Sequence, residues 1–208
     1  MTHELIRSIF VRFDRELAGL LEKAKTQGER PPCKDGCFWC CQEPLYASQQ
    51  EASLIVDRIR EMPEAEQARI KQLVKDWADR FLASGQQTVE DVNALQYRSL
   101  KLWCPLLKDG RCLVYQDRPI GCRAHIARRD PKGCEDDALR PKQEFLHTSA
   151  MMRFNTTAEI VLHEDTELEH LGLWLLELLI GKRVESAARV RIEATDRPSP
   201  MISNGGKR

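Results

Sequence analysis

The sequence has no excess of charge of either sign: lysine plus arginine number 32 and aspartate plus glutamate 32 among 208 residues. A neutral chain offers no broad field for nucleic acid or an anionic membrane, which argues against a general DNA- or RNA-binding role. Only a local basic patch stays open. Long apolar runs are also missing. The longest, Leu171 to Ile180, contains Gly172 and Glu177 and falls far short of the roughly 20 residues that span a bilayer. Residues 1–22 mix charges throughout and contain no apolar leader core. The expectation is a cytoplasmic protein with no membrane partner. Gly-rich phosphate loops, a GxSxG elbow, a dinucleotide fingerprint and HExxH spacing are all absent from the sequence. Acidic residues fall on helical faces beside lysine and arginine, as solvated surface does.

What is present is an ordinary globular balance, 42% hydrophobic and 31% charged residues, long enough for one domain with a core. That domain is expected over residues 1–194, with 195–208 as a flexible tail. Leu5, Ile6, Ile9, Phe10, Phe13, Leu17, Leu20 and Leu21 recur at helical steps, and the stripe is expected to pack on the rest of the domain. Gly28 and Pro31-Pro32 stop this helix. Ser48-Gln49-Gln50-Glu51 has capping-box form and opens a second helix, Ile70 to Phe81 supply the stripe of a third, and 85–102 read as a polar loop and a short helix. Residues 141–155 are expected to return to helix. Thr166-Glu167-Leu168-Glu169 reads as another capping box before a central core helix, and Arg183 to Glu193 as a last short one.

The texture changes over 103–135, which holds four cysteines, three prolines and three of eleven glycines without a helical period. Asp109-Gly110 between apolar pairs signals a short hairpin. So irregular a segment invites a cross-link, and in a reducing compartment metal ligation is the favoured one. Cys33-Lys-Asp-Gly-Cys37-Phe-Trp-Cys40-Cys41 places four thiols within nine residues, a spacing that delivers thiolates to an ion through backbone turns. Adjacent side chains diverge in helix and strand, so Cys40 and Cys41 are expected to play different ligation roles. Cys104, Cys112, Cys122 and Cys134 are too far apart to chelate locally and would complete the first site or build a second.

Cys33-x3-Cys37-x2-Cys40-Cys41, followed by Cys104-Pro105-Leu106-Leu107-x2-Gly110-x-Cys112-x-Val114-Tyr115-x2-Arg118-Pro119-x2-Cys122-Arg123, resembles the YkgJ-type cysteine-cluster family, whose domain is described as chelating zinc or iron. The resemblance spans about residues 30–125 and includes Glu51. It implies Cys33, Cys37, Cys40, Cys41, Cys104, Cys112 and Cys122 as ligands. Cys134 lies outside the pattern and joins the candidates on its own account. A related cluster occurs in flagellin lysine methylases, an activity that nothing else in this chain supports.

Zinc in a closed tetrahedron and an iron–sulfur cluster, such as a 4Fe-4S centre, both accept thiolates. Cys33-x3-Cys37-x2-Cys40 also resembles the three-cysteine spacing of radical S-adenosylmethionine enzymes, although no succession of strands and helices suggests their barrel. Arg111, Arg118, Arg123, Arg128 and Arg129 are read as charge balance for thiolates or surface pairing ahead of an anion site. His125 is a candidate alternative ligand or proton carrier, whereas His147, His163 and His170 are read as surface or core residues. Trp39 and Trp103 are expected to shield the centre from water.

The sequence therefore predicts a mainly α protein whose helices flank an irregular cysteine-rich metal-binding centre over 30–135, with room for one small β-hairpin. Its expected function is chelation of zinc or iron in a structural, sensing or metal-delivery role. The alternatives are an iron–sulfur redox or methyl-transfer enzyme using S-adenosylmethionine, and a zinc-stabilised adaptor for a protein partner.

Overall fold

The computed structural model describes residues 3–29, 31–85, 94–128, 132–139, 166–184 and 189–192. It is mainly helical. Helix α1, His3–Thr26, buries Ile6, Ile9, Phe10, Phe13 and Leu17, the stripe set by helical periodicity, against Leu54, Ile120 and Ala124. After Gly28, whose φ of 81° ends the helix without a Cβ penalty, the chain runs through the first cysteines to a single 3₁₀ turn at Trp39–Gln42. Strand β1, Tyr46–Ser48, leads straight into α2, Gln49–Arg60. The capping box is formed: Ser48 Oγ accepts from the Glu51 amide at 3.3 Å, and Glu51 Oε2 accepts from the Ser48 amide at 2.8 Å.

Helix α3, Glu64–Ala83, buries Ile70, Val74, Trp77, Ala78 and Phe81. A short helix α4, Ala94–Ser99, precedes the second cysteine segment. There β2, Leu107–Lys108, and β3, Arg111–Cys112, pair antiparallel with Leu107 opposite Cys112. Asp109 and Gly110 at φ 49° and 74° make the tight turn between them, a conformation that glycine and aspartate tolerate best. A 3₁₀ turn at Tyr115–Asp117 follows, then the short helices α5, Ile120–Ala124, and α6, Lys132–Glu135.

Two expectations are corrected at the C-terminal end. Thr166-Glu167-Leu168-Glu169 does not cap a helix: Thr166–His170 is strand β4, antiparallel to β1 with Tyr46 opposite His170 and Ser48 opposite Leu168. The unpaired edge of β1 supplies backbone partners that outweigh a local cap. The cap falls instead to His170, whose Nδ1 accepts from the Gly172 amide at 3.1 Å, so α7 is Leu171–Ile180. The last helix expected within 183–193 is in part a strand, β5, Val190–Ile192, which pairs with the other edge of β4 and completes a sheet of order β1-β4-β5. The helix expected over 141–155 and the tail 195–208 lie outside the described residues.

Helix α7 is the centre of the larger core, packed on α2 and α3 with Leu171 through Leu176 buried. Gly172 lets α7 approach α3 closely: a Cβ there would lie 2.4 Å from the Trp77 ring. No helix among the described residues is long and apolar enough to cross a membrane. Gly172→Ala should therefore push Trp77 off its seat and cost about 2 kcal/mol, read as a lower denaturant midpoint with an unchanged slope; an unaltered midpoint would contradict this packing.

Candidate metal centre

All eight cysteines are free thiols, and five of them, Cys40, Cys41, Cys104, Cys112 and Cys122, border one cavity of about 470 Å³. They arrive from four places: the 3₁₀ turn, the loop after α4, strand β3 and helix α5. Local hydrogen bonds fix each arrival. The Cys104 amide donates to the Cys41 carbonyl at 2.9 Å, joining the two cysteine segments directly, and the Leu113 amide closes back on the Leu106 carbonyl at 3.0 Å.

Glu51 sets the position of Cys122. Besides closing the capping box, its Oε1 accepts from the Ile120 amide at 2.8 Å, at the start of α5. The carboxylate is only 2% exposed, and burial raises its pKa against the pull of the three donors from Ile120 and Ser48. Gly121 lets α5 lie flat on β1, since a Cβ there would meet Leu45 at 2.7 Å and the Tyr46 carbonyl at 3.2 Å. Arg123, 1% exposed, stacks over Phe10 at 4.3 Å and pairs with Asp14 and the carbonyls of Gln116 and Arg118, tying α1 to this loop.

Cys40 and Cys41 do not diverge as their adjacency suggests. The 3₁₀ turn brings their thiols into a mutual hydrogen bond that lowers the pKa of Cys40 and raises that of Cys41. Burial pushes Cys104 up to about 12 and raises Cys112 and Cys122, and the neighbouring thiols add to the shift in all three. Opposing this, the sulfurs of Cys37, Cys104 and Cys112 each receive a backbone N–H from two residues on, at Trp39, Leu106 and Val114. Such donors stabilise negative charge on sulfur.

Cys33, Cys37 and Cys134 are placed apart from the cavity wall. Cys33 accepts from the Ala127 amide at 3.2 Å, and burial pushes it up to about 12, with Cys37, Cys40 and Cys134 as charge neighbours. Cys134 is buried on α6, which packs on the 3₁₀ turn. Sequence reasoning missed the residue that anchors this packing. Arg98, 2% exposed, donates to Asp137 at 2.6 Å, to Glu43 at 3.1 Å and to the Cys134 carbonyl at 2.9 Å; no local pattern marks it.

Of the other candidates, His125 and Arg118 border the cavity, and Arg118 also lies over the Tyr115 ring at 3.8 Å. Arg128 pairs with Glu29 at 2.5 Å, and Arg111 is exposed. Trp39 and Trp103 form a half-buried group with Phe38, ring centroids 4.9 to 6.1 Å apart. His170 is buried among Tyr46, Trp77, Phe81 and Tyr97. Arg129, His147 and His163 lie outside the described residues. Among the described residues, no three histidine, cysteine or carboxylate side chains stand as a closed metal-holding group, so ligation calls for thiols on the shared wall to turn toward one point. The donor set suits zinc or iron: soft sulfur ligands, buried where uncompensated thiolates are costly, with amides already directed at three of them.

The Glu51 contact can be tested alone. Glu51→Ala strands buried amides at Ser48 and Ile120 and should cost about 3 kcal/mol, whereas Glu51→Gln, which keeps one acceptor oxygen, should recover part of it. Equal stability of the two variants in denaturant unfolding would count against the carboxylate as the joint.

No curated protein and no solved structure matches the chain. A family model matches residues 32–148, more than half of the sequence and the whole of both cysteine segments; its description is CxxCxxCC, "Putative zinc- or iron-chelating domain". With thiols from both segments bordering one cavity, the chain belongs to the CxxCxxCC family of cysteine-cluster, metal-chelating domains.

Proposed function

We propose that the protein carries zinc or iron at the cavity wall, held by thiolates drawn from Cys40, Cys41, Cys104, Cys112 and Cys122, and that the metal is structural. The observation that carries this is the convergence of five thiols from four separate elements on one cavity. The segments that bear them are short turns and two-residue strands, too small to hold a fixed arrangement by their own packing. A metal bound to thiolates from each would cross-link them and contribute folding free energy outright. Cys33, which has Cys37, Cys40 and Cys134 as charge neighbours, is proposed with Cys37 and Cys134 as a second group of ligands beside it.

One observation favours a second reading. A cavity of about 470 Å³ is larger than a single ion requires, which suits an iron–sulfur cluster with redox or S-adenosylmethionine-dependent methyl-transfer chemistry. When bound, such a cluster would supply electron transfer; the chain's residues would hold it and, through amides such as those of Leu106 and Val114, set the charge on its sulfur ligands.

The two readings separate on protein purified without oxygen. Colourless protein with stoichiometric zinc supports the structural site, and brown protein with iron and acid-labile sulfide supports the cluster. In either case Cys112→Ser and Cys122→Ser should lower bound metal at least severalfold and make residues 103–128 sensitive to protease. Full metal content in both variants would remove the cavity wall as the centre, and Cys37→Ser applies the same test to the neighbouring group.

A further inference from the structure

The cavity has a second kind of wall. His170 stacks on Trp77 with centroids 4.6 Å apart and on Tyr97 at 5.4 Å, and Tyr46 meets it edge-on at 5.8 Å. Its Nδ1 is occupied by the Gly172 amide and so carries no proton. Burial keeps the ring neutral, its pKa pushed down to about 3, which places the proton on Nε2. Nε2 of His170 and the hydroxyl of Tyr46 are both buried without a hydrogen-bond partner, and both residues border the cavity. His170 is 4% exposed, so solvent does not serve it. The Tyr97 hydroxyl differs, since it accepts from Trp77 Nε1 at 3.3 Å.

Buried polar groups in folded proteins nearly always have partners. Two unmatched groups in the wall of one cavity, each able to donate, define a place for an acceptor oxygen. The surrounding side chains, Leu45, Leu106, Leu168 and Leu171, offer nothing to a strongly polar molecule. Charge does not favour an anion. Glu43 and Glu51 border the same cavity, and the Arg118 guanidinium is engaged by the Tyr115 ring and carbonyl.

We propose that the cavity binds, beside the thiols, an uncharged and largely apolar organic molecule with a carbonyl oxygen, which accepts from His170 Nε2–H and Tyr46 O–H. The inference shares its cavity with the metal reading and does not depend on the charge of the thiols. The cavity volume is within the range of small-molecule sites.

The probe is acetophenone, a flat apolar ketone, against ethylbenzene, which has similar shape and no acceptor. Each is titrated into the full chain and followed by the indole signal of Trp77 and the imidazole nitrogens of His170 in NMR spectra. Acetophenone should bind at least about tenfold more tightly, because an apolar ligand leaves the buried donors unmet. His170→Phe should bring the ratio to within about threefold, and Tyr46→Phe, which disturbs no helix cap, provides a second variant should the first not fold. Equal affinities in the parent chain, no saturable binding of either probe, or a ratio retained in both variants overturns the proposal. Metal content measured on the same sample keeps the two readings apart. Metal-free protein that still prefers acetophenone counts against the metal reading alone, and metal-loaded protein without the preference counts against the carbonyl site alone.

Discussion

Glu51 is a carboxylate with almost no contact with water, held by amides from two parts of the chain that are distant in sequence. One oxygen completes the N-terminal cap of α2, and the other takes the first amide of α5. Burying a carboxylate is costly unless its oxygens are matched, and here the matching groups belong to the elements that must be joined. The joint fixes where α5 lies on β1, and with it the placement of Cys122 beside the cysteines of the 3₁₀ turn. Gly121 makes the contact possible on the side facing β1. The backbone bond from Cys104 to the Cys41 carbonyl then aligns the remaining cysteine segment.

The thiols gathered by this framework work against one another electrically. Burial and mutual repulsion resist ionisation at Cys104, Cys112 and Cys122, while amides two residues on favour it at Cys37, Cys104 and Cys112. A cation resolves that opposition, because it neutralises the sulfur charge that the interior rejects and the amides invite. Helices α2, α3 and α7 contribute a conventional core, and α1 is held to the cysteine-rich half by Arg123 with Asp14 and Phe10.

Much of this was legible in the sequence wherever the signal was local. The capping box at Ser48 and Glu51, the turn at Asp109-Gly110 and the buried stripe of α1 each lie within a few residues, where backbone preference and periodicity decide the outcome. Thr166 to Glu169 shows the limit. The hydroxyl-x-x-Glu pattern that forms a cap at Ser48 forms a strand here, because a three-residue β1 too short to announce itself supplies the pairing edge. The second carboxylate oxygen of Glu51, the contacts of Arg98 and the aromatic surroundings of His170 depend on long-range packing, and no spacing foretells them. Cys40 and Cys41 went the other way: ideal helix and strand geometry separates neighbours, but the 3₁₀ turn lets their thiols meet.

The central claim is that thiols from both cysteine segments grip a metal ion on one wall. X-ray absorption at the metal edge, on the full chain purified without oxygen, tests it most directly. The expected result is a first coordination shell of sulfur alone, and a shell of oxygen and nitrogen without sulfur would contradict it.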